Sequence, residues 1–459
     1  MDLQEWLNSE ETIRKSKKSY AHFDIRTDIK RQKGYISDPE TVSRHGFYPF
    51  IHYELTMNKF SSAKGCYQKS RDICYAAHID RCIYQLYSFI LNQLYNNRVK
   101  HDGISDVAVA YRTDLHGSNI TFSKRVFDFI KQLGKCYVMV GDFTNFFDNL
   151  DHQYLKQQWC SLLNCGQLPK DHYNVFKNVT SYSKWELTDL LDLNGLKDNP
   201  AGKMCLNKQI RAITPEQFKA NRKHIIKNPN HYGIPQGSPI SAVLANVYML
   251  DVDKQINDMI TSIGGMYMRY SDDFMIIIPD AEEIRATDIF SKVHISLKAA
   301  PRLSLEPRKT QYFYYCNGHL ENCGKLFHKD SADKKQILNF LGFTFDGQRV
   351  SIRSKTVIKY YYRMYSKAKT ITKHGGYTPE GKHISCVNLY RRYSERGSTG
   401  KSGNFLSYVN RAAELYGADE YIRRDTKRHM QKIRKALKKS PQANRHRRYS
   451  PKPNSVSDQ

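Results

Sequence analysis

The chain has 459 residues, 40% of them hydrophobic, which is enough for roughly two to four domain-sized units with apolar cores. Lysine and arginine total 72 against 45 aspartates and glutamates, a net charge of +27. This excess indicates a polyanionic partner. With 32 tyrosines and 21 phenylalanines available for base stacking, it favours nucleic acid over an anionic lipid surface or a role in solubility alone.

Cysteine usage and hydropathy narrow the cellular setting. The ten cysteines contain no close CxxC pair, and residues 1–6 show no secretion-signal pattern. No run approaches the roughly 18 apolar residues of a membrane-spanning helix. The sequence therefore predicts a cytoplasmic protein with no membrane partner.

The first predicted elements follow a polar and basic stretch of about 60 residues. Apolar side chains recur at helical spacing over 79–94, and a second amphipathic stretch covers 126–133. A short strand is predicted at 137–140, and it runs directly into Gly141 and Asp142. Asp142 is therefore expected at the end of a strand.

The segment from 160 to 232 is polar and predicted to be mostly helical, either an insertion or a flexible subdomain with no clear chemical signal. A loop rich in Gly and Pro follows at 233–239. Ser238 is predicted as the N-cap and Pro239 as the first residue of the next helix. The N-terminus of that helix could receive a phosphate or a nucleobase, or be an ordinary loop-to-helix entry.

Two adjacent carboxylates stand between two apolar runs, 266–270 and 274–278, which predict a β-hairpin. Asp272 and Asp273 would lie at its tip on rigidly held backbone, as a metal site requires. By itself the turn is also ordinary solvated chemistry. Together with Asp142 it offers three carboxylates, the hard oxygen ligands that Mg²⁺ prefers, and two such ions serve phosphoryl transfer.

The chain becomes basic and rich in tyrosine from about 354 onward, which predicts a separate helical module. Its last residues, 441–459, form a charge run predicted to be disordered when free and to contact nucleic-acid backbone. Cysteine and histidine side chains of zinc-ligand type also cluster before this module, although their spacing matches no standard site and incidental residues are the favoured interpretation. They are Cys316, His319, Cys323 and His328.

Several segments, in order along the chain, resemble the motifs of reverse transcriptases. The palm motifs are matched by 142–152, 233–239, 270–273, 303–310 and 340–343. Upstream, 69–73 with 78–81 is similar to the family's fingers signature, and 110–112 with Ser118 resembles the segment after it. The resemblance covers roughly 65–345 and is nearest to the bacterial group related to group II introns and retrons.

The resemblance implies an α+β fold of the right-hand polymerase type, with fingers, a palm that carries an antiparallel catalytic sheet, and a helical thumb. An N-terminal extension and the fingers are expected over 1–135. The palm is expected over 136–345, with an inserted helical segment around 160–232. A helical basic thumb is expected over 346–440, followed by the tail, 441–459.

The resemblance also implies the metal site. Asp142, Asp272 and Asp273 correspond to the catalytic carboxylates, and the Phe143 carbonyl corresponds to a further metal ligand. The implied cofactor is a pair of Mg²⁺ ions, with Mn²⁺ as the alternative.

Further residues correspond to the family's nucleotide site. Phe147 matches the aromatic residue under the sugar, where a bulky ring would clash with a 2′-hydroxyl and select deoxynucleotides. Gln236 and Gly237 match the loop that shapes the nucleotide and template pocket. Arg71 is the candidate for binding the triphosphate and Lys309 for neutralising or protonating the leaving pyrophosphate, although both also suit ordinary surface charges.

The implied activity is RNA-directed DNA polymerisation, with an RNA template, dNTPs and a DNA product as partners. No C-terminal Cys-rich nuclease module or retron hallmark follows, which favours a stand-alone enzyme that copies a dedicated noncoding RNA in defence against phage. A homo-oligomer is compatible with the sequence. The alternatives are an RNA-binding maturase or scaffold, an RNA-dependent RNA polymerase, and untemplated or protein-primed DNA synthesis.

Overall fold

The computed structural model groups its described residues into two compact units. The first is built from described residues of 1–116, 137–312 and 326–329, and the second from those of 117–136, 313–325 and 330–459. The residues that the structure describes are 2–61, 65–307, 309–327, 336–373, 375–378, 381–399, 403–418 and 420–438. The predicted tail, 441–459, lies outside them.

Helices dominate the described residues. In chain order they are α1 (Leu3–Asn8), α2 (Glu10–Ser16), α3 (Ile29–Ser37), α4 (Pro39–Ser43), α5 (His78–His101), α6 (Asn119–Leu133), α7 (His152–Leu162), α8 (Lys170–Thr180), α9 (Leu187–Leu193), α10 (Pro200–Leu206), α11 (Pro215–Ala220), α12 (Ser241–Tyr248), α13 (Leu250–Thr261), α14 (Ala286–Lys298), α15 (Gly324–Phe327), α16 (Ser354–Thr372), α17 (Val387–Tyr393), α18 (Phe405–Tyr416) and α19 (His429–Lys438). Both helices predicted before residue 134 are confirmed, and both are longer than their apolar patterns.

Among the described residues the strands are short and fall into four sheets. They are β1 (Phe50–Glu54), β2 (Met57–Ser61), β3 (Gly65–Lys69), β4 (Asp72–Tyr75), β5 (Lys135–Asp142), β6 (Ser183–Glu186), β7 (Ile226–Lys227), β8 (Met266–Tyr270), β9 (Asp273–Pro279), β10 (Gln311–Cys316), β11 (His319–Asn322), β12 (Leu338–Phe340), β13 (Phe343–Phe345) and β14 (Val350–Ile352). The predicted strand at 137–140 is the centre of β5, and the predicted hairpin is β8–β9.

The segment 160–232 contains two strands as well as helices, and it is built into the first unit. Its strand β6 pairs in parallel with β1, in a sheet of order β4–β1–β6–β7. Trp185 on β6 is fully buried in a cluster that includes Phe23 and Ile51 from the first 60 residues. The segment 160–232 is therefore packed against the N-terminal residues through the buried Trp185 side chain.

In the first unit, the strands that carry the acidic motifs lie side by side in the order β5–β9–β8. The β8–β9 pair is antiparallel, with Met268 opposite Met275 and Tyr270 opposite Asp273. Five consecutive residues of β9, 274–278, are buried, so this strand lies inside the unit. Its N-terminal end, by contrast, is exposed at Asp273.

The second unit combines α6 with a small antiparallel sheet, β12–β13–β14, and the helices from α16 onward. Ser118 caps α6, and the Phe127 ring of this helix stacks on Phe345 with centroids 5.4 Å apart. Ser123 of the same helix is hydrogen-bonded to Tyr416 of α18. Among the described helices of both units, none has the length and apolar character needed to cross a bilayer.

The candidate zinc ligands fall partly on the β10–β11 hairpin of the second unit. Cys316 lies opposite His319 across the two strands, and burial raises the pKa of the Cys323 thiol to about 12. A raised thiol pKa disfavours the thiolate that zinc requires. The fourth member of the set, His328, lies outside the described residues.

Candidate active site

The β8–β9 turn presents its two aspartates differently. Ser271 adopts a left-handed conformation with φ of 61°, which a two-residue hairpin connection requires, and its hydroxyl is hydrogen-bonded to the Tyr111 hydroxyl at 3.0 Å. Asp272 is half-buried within the turn, whereas Asp273 is exposed as the first residue of β9. The backbone is therefore fixed on both sides of the acidic pair.

A buried ion pair between Arg269 and Asp253 stabilises this turn. Arg269 on β8 is fully buried, and its Nε and Nη2 donate to the Asp253 carboxylate of α13 at 2.9 and 2.5 Å. Its Nη1 donates to the Ser271 carbonyl at 3.0 Å. Burial acts to lower the pKa of Arg269, but the neighbouring Asp253 carboxylate raises this pKa above its usual range. The guanidinium is thus a permanent cation that ties the turn to α13.

The end of β5 meets this turn directly. The Phe143 N–H donates to the Asp272 carbonyl at 3.2 Å, which brings the residue after Asp142 against the acidic turn. The approach depends on Gly141, because a Cβ there would lie 2.2 Å from the Phe274 ring. The three predicted carboxylates are therefore carried on two neighbouring segments that are hydrogen-bonded to each other.

The other side of β5 is bound to the segment that precedes Lys309. Thr144 N–H donates to the Ser304 carbonyl at 2.9 Å, and Glu306 N–H donates to the Asp142 carbonyl at 2.8 Å. Neither bond uses the Phe143 carbonyl. The Lys309 ammonium forms an ion pair with the buried Asp142 carboxylate, while about half of the lysine side chain stays exposed. Lys309 thus joins the acidic site itself.

The 233–239 loop lies between the motif that follows β5 and strand β4. The Gln236 side-chain amide donates to the Asp148 carboxylate at 3.1 Å. The backbone carbonyl of Gln236 accepts from the Cys74 N–H at 2.8 Å. Gly237 has φ of 109°, and a Cβ there would lie 2.5 Å from the Cys74 carbonyl oxygen. Desolvation is the main factor that raises the pKa of Asp148, with the charge of Asp72 adding to it.

The predicted start of the following helix is wrong. The helix α12 begins at Ser241 with Ile240 as its N-cap, and Ser238 does not cap it. The Ser241 hydroxyl instead donates to the Pro235 carbonyl at 2.7 Å, which closes the loop onto the helix. Within the described structure the buried Ser238 hydroxyl has no hydrogen-bond partner. Loop closure, rather than a side-chain cap, sets where the helix starts.

The two remaining nucleotide-site candidates are Arg71 and Phe147. Arg71 is exposed between β3 and β4, with its backbone paired to Leu55 in both directions at 2.8 and 3.1 Å. Phe147 is half-buried, and its carbonyl accepts from the Ile234 N–H at 2.9 Å. Its ring packs edge-on against Phe146 with centroids 5.7 Å apart.

The donor chemistry of the acidic site fits Mg²⁺. The site offers only hard oxygens, from Asp142, Asp272, Asp273 and the Phe143 carbonyl. The ammonium group of Lys309 already neutralises Asp142. In the described part of the chain, no group of three or more His, Cys, Asp or Glu side chains is arranged to hold a metal ion. Mg²⁺ is commonly bound by one or two carboxylates together with substrate phosphates, so a closed protein cage is not required.

Sequence reasoning missed the residues that support the site from behind. Arg269 carried a signal, since a charged side chain stands in an otherwise apolar strand, but its partner Asp253 could not be identified from spacing. Tyr111 lay in a segment noted only for resemblance. Gly141 was visible as the residue before Asp142, yet its role depends on the Phe274 ring, which only the fold brings close.

Residues 64–345, more than half of the chain, match the family model described as reverse transcriptase (RNA-dependent DNA polymerase). The chain belongs to the reverse transcriptase family. Its mixed helices and sheets have the predicted α+β right-hand polymerase fold. A comparison with curated protein sequences gave no match for this reverse transcriptase-family chain.

Among solved structures, the chain is similar to two telomerases. Apo telomerase from Candida tropicalis, truncated from its C-terminal domain, is 11% identical with a TM-score of 0.39 over 71% of this chain and 60% of that chain. Telomerase from Candida albicans, in complex with the TWJ fragment of telomeric RNA, is 12% identical with a TM-score of 0.37 over 89% of this chain and 66% of that chain. The chain thus spans about two thirds or less of each telomerase.

Proposed function

We propose that the protein is an RNA-directed DNA polymerase that extends a DNA strand on an RNA template from dNTPs. The observation that carries this proposal is the hydrogen bond between the Phe143 N–H and the Asp272 carbonyl at 3.2 Å. It joins the strand end that bears Asp142 to the turn that bears Asp272 and Asp273. Family membership supports the same activity in general terms.

The three aspartates and the Phe143 carbonyl would hold two Mg²⁺ ions, or Mn²⁺ in their place. When bound, the ions supply activation of the attacking hydroxyl and stabilisation of the leaving pyrophosphate. Lys309 is paired with Asp142 at the same place, so its ammonium can exchange from that carboxylate to the negative charge of an arriving triphosphate. Asp142 is then released to bind a cation.

The substrate side of the proposal assigns roles to the residues around the 233–239 loop. Arg71 is exposed and can bond triphosphate oxygens through its guanidinium. Phe147 selects deoxynucleotides, because its ring would clash with a 2′-hydroxyl. Gln236 and Gly237 shape the pocket, and the close packing of Gly237 on Cys74 fixes the loop.

The biological setting is a further part of the proposal. We infer a bacterial enzyme that acts in the cytoplasm, copies a dedicated structured noncoding RNA and serves defence against phage. The motif resemblance to the bacterial group and the net charge of +27 support this setting. A homo-oligomer and the absence of a membrane partner belong to the same proposal.

A second candidate function, an RNA-holding scaffold with a polymerase fold, is favoured by two observations. Lys309 already neutralises Asp142, and in the described residues no three-ligand metal group is present. A scaffold needs the basic surface but not the carboxylates. The two functions therefore differ in what happens when the acidic turn is neutralised.

Primer extension on a purified RNA template with a DNA primer tests the proposal. Asp272→Asn with Asp273→Asn should lower extension by about a thousandfold or more, since metal ions supply several kcal/mol and each 1.36 kcal/mol is a factor of ten. Glu282→Gln with Glu283→Gln is the control, because it likewise neutralises two adjacent acids, both of which are exposed. EDTA should abolish extension, and MgCl₂ or MnCl₂ should restore it.

Unchanged extension by the Asp272/Asp273 double variant would overturn the proposal. Loss of extension with unchanged RNA binding would support it over the scaffold. A parallel reaction with a DNA template, and another with ribonucleotides, separates RNA-directed DNA synthesis from the other polymerase activities. Incorporation without any template would indicate untemplated synthesis instead.

A further inference from the structure

The second unit carries a groove between α16 and the chain from 424 to 432, with a volume of about 780 Å³. We call it the thumb groove. It is lined by side chains of α16 on one side and by side chains of residues 424–432 on the other. None of these residues has a role in the proposed polymerase site.

One wall of the thumb groove is aromatic and apolar. Ile358, Tyr362 and Tyr365 are 67%, 73% and 45% exposed, although all three are large side chains. Their spacing of four and then three residues places them on one face of α16. A contiguous exposed apolar surface of this kind usually marks a binding site.

The other wall is cationic. Arg424, Lys427, Arg428 and Lys432 line it, with Asp425 as the one acidic residue of the lining. The Arg424 guanidinium is already paired with Asp425 at 3.2 Å, so the lysines and Arg428 carry the positive charge of this wall. Aromatic and cationic side chains thus face the same space.

The two walls are held together by buried contacts. The Tyr361 hydroxyl donates to the Asp425 carbonyl at 3.0 Å, and the Lys432 ammonium lies 3.7 Å from the centre of the Tyr361 ring. Ile433 of α19 is fully buried. The groove is therefore a built feature of this unit, and Tyr361 is used to close it while Tyr362 and Tyr365 remain exposed.

We propose that the thumb groove binds an unpaired nucleic-acid strand, with bases stacked on Tyr362 and Tyr365 and phosphates bound by Lys427, Arg428 and Lys432. Stacking on side-chain rings requires unpaired bases, because the bases of a duplex already stack on one another. An acidic peptide would satisfy the cations but would leave the ring faces without flat partners. The site goes beyond polymerisation, since binding uses none of the catalytic aspartates.

Fluorescence anisotropy with the full chain tests this site. The probe is an oligouridylate of about 12 nucleotides, within the usual site size of single-strand binders. Tyr362→Ala with Tyr365→Ala should weaken binding by about tenfold or more, whereas Tyr362→Phe with Tyr365→Phe should retain it, since stacking needs the ring alone. Because both tyrosines are exposed, the alanine variant is expected to fold, and its circular dichroism spectrum verifies this.

Two control variants test whether the effect is local to the groove. Tyr173→Ala removes an exposed tyrosine elsewhere, and Lys355→Gln removes an exposed charge of α16 that does not line the groove. Both should bind the oligouridylate as the wild type does. Lys427→Gln with Arg428→Gln should weaken binding and flatten its salt dependence.

The strand type and the competing ligands are resolved by further probes. A comparison of oligouridylate with oligothymidylate identifies the bound strand as RNA template or DNA product. If the Tyr362→Ala/Tyr365→Ala variant lost affinity equally for an RNA–DNA duplex and for the single strand, the groove would be a duplex-binding surface and the proposal would be overturned. Unchanged oligouridylate binding by the double alanine variant would also overturn it. So would a variant that loses binding to polyglutamate but keeps binding to oligouridylate.

The experiment is independent of catalysis. The Asp272→Asn/Asp273→Asn variant should bind oligouridylate like the wild type, so failure of the polymerase proposal leaves this inference standing. Conversely, the double tyrosine variant can fail in single-strand binding while still extending a short primer on a short template. The two proposals are thus refuted by different results.

Discussion

The β8–β9 turn and the thumb groove both depend on charged side chains, but they place them in opposite environments. Arg269 and Asp253 are fully buried beneath the acidic turn, with each charge met by its partner. Lys427 and Arg428 of the groove are exposed. The buried Arg269–Asp253 pair cannot contact a ligand, whereas the exposed Lys427 and Arg428 can.

Burial decides what a charge can do in this molecule. A buried ion pair fixes geometry, because either partner left alone would be an uncompensated charge in a medium of low dielectric constant. An exposed charge fixes little, since water and salt screen it, but it attracts polyanions from solution. Chemistry that needs exact placement therefore rests on the first kind of charge, and retention of a nucleic-acid strand rests on the second.

Breaking the buried pair should give the largest effect. Asp253→Ala leaves the Arg269 guanidinium buried without its partner, so the free energy of unfolding should fall by about 3–5 kcal/mol. Urea denaturation measures it. Asp258→Ala on the same helix is the matched control, because it removes the exposed Lys254 pair and should cost about 0.5 kcal/mol or less. Similar losses in the two variants would refute the division by burial.

A single buried acid offers the next test. Burial is the main cause that raises the pKa of Asp80 to about 6, although its bonds with His45 and the Tyr48 N–H act to lower it. Asp80 binds its proton more tightly in the folded chain, so this contribution to stability is complete below about pH 4 and is lost as the pH rises through 6. The loss should approach about 3 kcal/mol.

The measurement for Asp80 is the difference in unfolding free energy between the wild type and Asp80→Asn, followed from pH 4 to pH 7. The advantage of the wild type should shrink over this range. A difference that stays constant with pH would show that the buried carboxyl titrates alike in the folded and unfolded chains.

Salt should separate the two regions most clearly. If the thumb groove neutralises about four phosphates, raising KCl from 50 to 200 mM should weaken oligouridylate binding by roughly 50-fold. Anisotropy titrations measure it, and the free energy of unfolding from urea melts at the same two salt concentrations should change little. Binding that is insensitive to salt would show that the exposed charges do not meet phosphates.

Phe147 lies between the two extremes, because its ring is half-buried. Phe147→Ala should raise ribonucleotide incorporation relative to deoxynucleotides by about tenfold or more, by opening space for a 2′-hydroxyl. Phe147→Tyr, which keeps the ring, serves as the control. Single-nucleotide extension with dNTPs and NTPs gives the ratio, and an unchanged ratio would remove Phe147 from the sugar site.

Much of the fold and part of the site were predictable where the signal is local. Apolar spacing over 79–94 predicted α5, and two apolar runs around Asp272 predicted the β8–β9 hairpin. The start of α12 was predicted wrongly, because Ser238 and Pro239 have the composition of a cap while the Ser241–Pro235 contact decides the boundary. The roles assigned to Arg71, Phe147, Gln236, Gly237 and Lys309 stay predictions, as does the interpretation of the four cysteine and histidine side chains as incidental.

The segment 160–232 shows why the rest could not be predicted. Its helical pattern gave no reason to expect a parallel strand beside β1, because parallel pairing joins residues far apart in sequence and leaves no local signature. Trp185 is an ordinary apolar residue in the sequence, and only its contacts with Phe23 and Ile51 assign the segment to the first unit.

The sequence by itself determined which chemistry is available: three acids in a recognisable order, an excess of cationic residues, and 32 tyrosines, eleven of them in the last hundred residues. Tertiary structure alone decided which of these groups meet. The bond from Phe143 to Asp272, the pair of Arg269 with Asp253, and the two walls of the thumb groove each join residues whose pairing no periodicity encodes. Periodicity reports which face of an element is buried, but contact between distant elements depends on how their side chains pack, and packing is a property of the folded chain.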